Sequence, residues 1–298
     1  MGLYRYLRRK LNTQQLKEIC ENTQENLNKC LNEICVSGGG IQAKIDQSLK
    51  GQQQIEAELQ KIFQSLQDIK NSSIEGARYA SEAVWGELFN QVAAGSSWLK
   101  DTRLAAGRGA VGYQYLYAVY RILNERHPKN ILDLGLGQST KLISQYASAF
   151  PDVRHQVVEH DPVWIDFFRK NYKLPENTEM VLLDREFVTY KGAQVRVFKD
   201  FSETFKGQKF DFISVDAPLG YDMPEYSRID VLKMLPDCLA ESFVIIIDDV
   251  ERSGETRTVN DMAEILKASH IPFAMGRYSG KKDCMVMCSD DLKFVCYM

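Results

Sequence analysis

No apolar run in this chain of 298 residues approaches the roughly 18 to 20 residues that a membrane span needs. Its opening, "MGLYRYLRRKL", also lacks the apolar core of a secretory signal, which takes about 7 to 15 residues. A transmembrane or secreted protein is therefore not expected. The body of the chain has no basic stripe, and its net charge of -3 with a pI near 5.9 points away from nucleic acid as a partner. Paired CxxC motifs are missing too. The seven cysteines are scattered, and Cys284 and Cys288 have neither that spacing nor a second pair, so no structural zinc site is expected. Reduced thiols in the cytoplasm are the corresponding expectation.

With 44% hydrophobic and 26% charged residues, the chain suits one large α/β domain plus an appendage. Arg5, Arg8, Arg9 and Lys10 stand beside Leu3, Tyr4, Tyr6 and Leu7. This short basic amphipathic segment is either a peripheral contact with the anionic inner surface of a membrane or a solvated terminus. Apolar or small residues then recur at Leu16, Cys20, Thr23, Leu27, Cys30 and Ile34. After "SGGG" they resume at Ile55, Leu59, Ile62, Leu66 and Ile69, stepping by four and three. That heptad spacing, set among Gln, Glu and Lys, predicts helices over residues 1–71 that bury a stripe against another helix. A coiled-coil arm building a homo-oligomer is the preferred reading, and an intramolecular helical hairpin is the alternative.

From about Ser72 the composition changes. "GYQYLYAVYRILNERHPK" predicts a helix stopped near Pro128. The segments "NILDLG", "RHQVVE", "EMVLL", "FDFISVD" and "SFVIIIDD" follow at helix-sized spacings, and four of the five are continuous apolar runs, as in central parallel strands covered on both faces. "EFVTYKGAQVRVF" reads as an inserted hairpin turning at Lys191 and Gly192. "PFAMGRYSGKKDCMVMC" reads as two more strands, at least one antiparallel. Residues 72–298 are thus expected to form a mostly parallel, doubly wound α/β sheet.

"ILDLGLGQST" joins a strand, a glycine turn and a helix start marked by Ser139 and Thr140. Gly135 and Gly137 let the backbone approach a ligand, and the helix N-terminus offers free N–H groups. Thr140 stands where the dinucleotide fingerprint has its third glycine, which disfavours tightly packed pyrophosphate. One strand later Glu159, in "VVEHDP", is placed where an acid can accept both hydroxyls of a ribose.

On these motifs residues 72–298 resemble the class I S-adenosylmethionine-dependent methyltransferases. More narrowly, "LGLGQST", "EHDPVW", "FISVDAPLGY" and "IIDDVERSGE" are similar to segments of the polysaccharide-modifying branch that includes the glucuronoxylan 4-O-methyltransferases, with their Gly-Leu-Gly, Asp-Pro-x-Trp, Asp-Ala-Pro-x-Gly-Tyr and Asp-Val-x-Arg patterns. The resemblance implies a Rossmann-like sheet and S-adenosylmethionine as cofactor. It implies Gly135 and Gly137 beside the methionine moiety, with Asp133, Ser139 and Thr140 in the same binding turn, and Glu159 on the ribose. Asp184 or Asp200 would stand at the adenine, Asp184 being preferred. A sugar hydroxyl of a surface polysaccharide or its precursor is the implied acceptor.

Asp216 ends one apolar strand and Asp248 with Asp249 ends the next, so all three are expected at the carboxyl edge that carries the glycine turn. Three carboxylates repel there unless a cation or proton joins them. The metal-dependent O-methyltransferases hold Mg²⁺ on a similar set, which implies Asp216, Asp248 and Asp249 as ligands of Mg²⁺ or Mn²⁺ and as the catalytic acids. In the alternative, Arg252 neutralises the cluster and Asp216 is a metal-free base that also borders the cofactor. Tyr221 and Arg228, in "APLGYDMPEYSR", are candidate acceptor contacts together with Arg252. Two rival readings remain: a nucleotide-dependent oxidoreductase on the same sheet, and a coiled-coil scaffold with an inactive domain.

Overall fold

A computed structural model describes residues 13–34, 41–107 and 109–298. The basic opening segment and the glycines of "SGGG" lie outside them. The chain divides into two units, residues 1–72 and 73–298. The first holds helix α1 (Thr13–Ile34) and most of α2 (Ile41–Ala94), which ends in the second. Gln, Glu, Lys, Ala and Leu dominate α2, all good helix formers, and it contains no proline. No helix among the described residues is long and apolar enough to cross a membrane.

In the second unit α3 (Tyr113–Arg126) stops where His127 turns left-handed at φ 51°, just before Pro128. Then follow β1 (Asn130–Leu134), α4 (Gln138–Ala149), β2 (Arg154–Glu159), α5 (Pro162–Asn171), β3 (Thr178–Leu182), β4 (Arg185–Tyr190), β5 (Ala193–Phe198), the single turn α6 (Phe201–Thr204), β6 (Phe210–Val215), β7 (Leu239–Ile247), α7 (Ser253–Ala268), β8 (Phe273–Ser279) and β9 (Asp283–Ser289). Seven strands form one sheet in the order β3-β2-β1-β6-β7-β9-β8. The pairs β3-β2, β2-β1, β1-β6 and β6-β7 are parallel, whereas β9 runs antiparallel between β7 and β8. This is the expected Rossmann-like sheet with its antiparallel strand near the C-terminus.

Both faces of the sheet are covered, which explains the unbroken apolar strands. Phe89 of α2, Tyr115 and Leu116 of α3 and Leu142 of α4 pack with Val244 and Val286. Met262 and Leu266 of α7 pack with Ile213, Ile245 and the hairpin residues Val195 and Val197. Register then decides where the polar strand ends fall. Leu134 pairs with Val158 and with Val215, and Ile247 pairs with Val215. The residues that follow these strands therefore share one edge. Because β9 is antiparallel, the β8–β9 turn at residues 280–282 returns to that same edge, Met285 pairing with Ile247.

The hairpin β4–β5 stands apart from the main sheet and turns where expected, Lys191 at φ 46° and Gly192 at φ 85°. Two successive positive φ values give the turn whose twist matches the strands. One end is tied to α7, where Tyr190 Oη and Lys191 Nζ each lie 2.8 Å from a carboxylate oxygen of Asp261. The other end holds the loop after β6: Arg196 donates to Leu219 O at 2.7 Å and grips Asp222 with both terminal nitrogens, at 2.9 and 2.7 Å.

Asp230, in the 3₁₀ turn that closes this loop, accepts the Phe198 N–H at 2.7 Å on one oxygen. Its other oxygen is buried without a partner among the described residues. Burial raises its carboxyl from an ordinary 3.8 to about 7, against the pull of the Phe198 N–H. The folded chain thus keeps a proton that the unfolded chain releases at about pH 4, so the stabilisation is complete at low pH and fades as pH rises towards 7. Asp230→Asn keeps the acceptor and removes the charge. At pH 8 urea unfolding should find it more stable than the parent by on the order of 2 to 4 kcal/mol, with the difference gone near pH 4. Equal stability at pH 8 would contradict this account.

Candidate active site

The turn after β1 is confined by its neighbours. Gly135 has φ +108°, and a Cβ there would lie 3.1 Å from Ala217 Cβ and 3.3 Å from the Asp216 carbonyl. Glycine is required for both conformation and space. The Gly135 N–H donates to Val158 O at 3.0 Å and the Asp216 N–H to Leu134 O at 2.9 Å, so the turn is stitched to the ends of β2 and β6.

Beneath it lies a buried polar chain. Tyr115 Oη is 2.9 Å from Ser214 Oγ, which donates to Asp133 Oδ1 at 2.7 Å. Thr140 Oγ1 donates to Asp133 Oδ2 at 2.6 Å and accepts the Gly137 N–H at 3.1 Å. His155 Nε2 stands 3.7 Å from Asp133 Oδ2. Asp133, Ser139 and Thr140 are all buried. Asp133 and Thr140, expected beside the cofactor, brace the turn from beneath through these bonds. Thr140 also accounts for the missing third glycine, since its hydroxyl supplies the loop's internal hydrogen bonds.

Glu159, at the end of β2, accepts the Leu136 N–H at 3.3 Å on Oε2. Its Oε1 accepts the N–H groups of His160 and Asp161, at 2.6 and 3.0 Å. Asp161 caps α5 by accepting from Val163 N and Trp164 N, Pro162 occupies the first helical position, and the Trp164 indole donates to Leu136 O at 2.8 Å. The "EHDPVW" stretch thus clamps the glycine turn from the side. Beside it opens a groove of about 690 Å³ lined by His160, Asp184, Arg185, Phe187, Arg196 and Lys199, together with Glu186. Asp184 is in this lining. Asp200, the other candidate for adenine, begins α6 and is not.

At the ends of β6 and β7 the three acids do converge. Asp216, Asp248 and Asp249 offer carboxylate oxygens within 4.8 Å of one another. Glu255 of α7 joins them, and three cations interleave. Arg228 Nη2 lies 3.1 Å from Asp216 Oδ1 and 2.6 Å from Asp249 Oδ2, and its Nη1 donates to Asp248 O at 2.9 Å. Arg252 Nη1 lies 3.0 Å from Asp249 Oδ2 and 3.5 Å from Glu255 Oε1. Lys282 Nζ lies 3.3 Å from Asp248 Oδ2 and 3.1 Å from Asp249 Oδ1. The Asp249–Arg252 spacing explains the Asp-Val-x-Arg motif, an ion pair formed across the start of α7.

Arg228 has a side chain only 2% exposed, so its expected role as an acceptor contact is corrected: it is the buried cation of this cluster. Arg252 is likewise engaged by Asp249 and Glu255. Tyr221, by contrast, is 73% exposed on the loop after Asp216. The set suits a divalent metal poorly, because both oxygens of Asp249 and one of Asp248 already face cations. Lys282 was missed by sequence reasoning, although the unbalanced carboxylates called for a cation and "SGKKDC" offered two at a hairpin turn.

Burial raises the Asp216 carboxyl, although Arg228 and Lys282 oppose it. Burial and the neighbouring Asp216 push Asp248 up much further. Asp249 is also buried, yet Arg228, Lys282 and Arg252 together bring it below the usual range. The four carboxyl groups are thus interleaved with three cations, Arg228, Arg252 and Lys282. Asp216, with 20% of its side chain exposed, is the acid that solvent reaches, whereas Asp248 and Asp249 are at 0% and 3%.

No family model and no curated protein matches the chain. Among solved structures, it is similar to an O-methyltransferase from Bacillus cereus in complex with SAH, at 18% identity and a TM-score of 0.43, over 70% of this chain and 90% of that one. A putative caffeoyl-CoA O-methyltransferase from Staphylococcus aureus is similar at 14% identity and a TM-score of 0.41, over 75% and 99%. A probable spermidine synthase from Corynebacterium glutamicum is similar at 14% identity and a TM-score of 0.40, over 63% and 66%.

The two glycines of the turn should respond differently to a side chain. Gly135→Ala meets both left-handed φ and close neighbours and should cost about 1 to 3 kcal/mol in denaturant unfolding. Gly137 has φ -161° and open space where its Cβ would stand, so Gly137→Ala should leave stability within about 0.5 kcal/mol. Equal losses in both variants would show that the turn is not built as described.

Proposed function

We propose that the chain transfers the methyl group of S-adenosylmethionine to a sugar hydroxyl, in a surface polysaccharide or its precursor, with Asp216 as a metal-free base. What carries the reading is one observation. The glycine turn, Glu159 and Asp216 meet at the carboxyl edge on either side of the point where the strand order reverses, between β1 and β6.

The open space at Gly137 receives the methionine moiety, which a side chain there would displace. Among the described residues Glu159 Oε2 accepts one hydrogen bond, from the Leu136 N–H, and keeps acceptor capacity for a ribose. Asp184 is in the wall of the adjoining groove and serves the adenine end. When bound, S-adenosylmethionine supplies a sulfonium methyl that is already strongly electrophilic. The chain is left to align the acceptor oxygen and to take up one proton.

Asp216 does the second. Its burial makes it a better proton acceptor than a free carboxylate, while Arg228 opposes that rise and fixes its orientation. The ammonium of Lys282 offsets the negative charge of the neighbouring Asp248 and Asp249. Tyr221 and Leu219, both exposed on the loop anchored by Arg196 and Asp222, present an apolar surface to the ring of the acceptor. The sugar class itself rests on the four motifs, "LGLGQST" to "IIDDVERSGE", that resemble the polysaccharide-modifying branch.

Asp216→Asn should lower turnover by about 100-fold to 10,000-fold, the range of a general base, and a chelator should leave the parent enzyme unchanged. Loss of activity with a chelator and recovery with Mg²⁺ would instead establish the metal reading. Glu159→Ala should weaken S-adenosylhomocysteine about tenfold or more by calorimetry, as expected from losing charged hydrogen bonds. An unchanged affinity would move the cofactor elsewhere, and tight NAD binding would favour an oxidoreductase.

A further inference from the structure

Within the first unit, α2 repeats Ile55, Leu59, Ile62, Leu66 and Ile69. In heptad terms Leu59 and Leu66 take position a, and Ile55, Ile62 and Ile69 take d. The three isoleucines are 61%, 54% and 65% exposed, so the d side of the stripe is left open by the described residues of its own chain. Beside it, at position e, Leu49 and Phe63 are each 42% exposed.

Two features name the missing cover as further copies of the same helix and set their number above two. The first is the assignment of residue types to layers. In a two-stranded coil the d side chain points straight at its partner, a direction that a β-branched residue meets only in a poor rotamer; in a four-stranded coil the a and d geometries are exchanged. Leu at a with Ile at d therefore disfavours a pair and suits a larger bundle. The second is the flank. In a parallel pair, position g meets e of the next heptad, which here gives Lys44 with Leu49, Gly51 with Glu56, Glu58 with Phe63 and Ser65 with Lys70. None is an opposite-charge pair, so the electrostatic seam that selects a dimer is missing. An apolar a, d and e face is instead what each helix of a bundle buries.

We infer that four copies of the chain associate through parallel, in-register α2 helices over residues 55–70. Light scattering on the full-length chain should give four times the chain mass of 34.1 kDa. A layer-exchanged variant, with Ile55→Leu, Leu59→Ile, Ile62→Leu, Leu66→Ile and Ile69→Leu, keeps the side-chain volume, since Leu and Ile are isomers. It should fall to the mass of two chains with unchanged helix content by circular dichroism. A parent with the mass of one chain would mean that the stripe is covered within the chain, for example by α1, and would overturn the proposal. A parent mass of two or three chains, or a layer-exchanged variant that stays at four, would also overturn it.

Discussion

Four carboxylates gathered at one edge of a sheet repel one another, and the rest of this site is arranged around the cations that hold them. Arg228 is the central one. It is buried, touches Asp216 and Asp249, and bonds the backbone of Asp248. Removing one partner from such a buried set costs about 3 to 5 kcal/mol, because the others are left uncompensated away from water. Arg228 and Asp249 both sit at positive φ, 57° and 63°. Such conformations persist only where the surroundings over-determine them, and here each residue is held by the other's charge.

The same constraint shapes the loop between β6 and β7. To bring Arg228 back under Asp216 the chain folds closely on itself, and a Cβ at Gly220 would collide with Ser227 and Glu255. Arg196 then pins the outer side of this loop to the β4–β5 hairpin. The result is a rigid inner side built on ion pairs and an outer rim where Tyr221 and Leu219 face water.

On the other side of the switch point, hydroxyl donors do the work that ion pairs do around Arg228. Asp133 is fully buried, yet Ser214 and Thr140 donate to its two oxygens. The glycine turn above it is held from below by Thr140, from the side by Trp164 and Glu159, and from behind by the close approach of Ala217. A pre-shaped turn of this kind spends no ligand-binding energy on ordering itself.

Local pattern alone determined much of this protein. Continuous apolar runs identified the buried strands, Lys191–Gly192 identified the hairpin turn, and Pro128 marked the end of α3, because strand burial, left-handed φ and a missing N–H are decided within a few residues. Asp216, Asp248 and Asp249 were legible as neighbours, since parallel strands bring their carboxyl ends to one edge. The partners of those acids were not. Lys282 arrives from the β8–β9 turn only because β9 inserts antiparallel next to β7, and Arg228 turns inward only because its loop folds under Asp216. Asp133 and Thr140 read as ligand contacts in sequence, yet packing buried them beneath the turn. Charge compensation and burial depend on through-space distances between residues far apart in the chain, and those distances exist only once the sheet has closed.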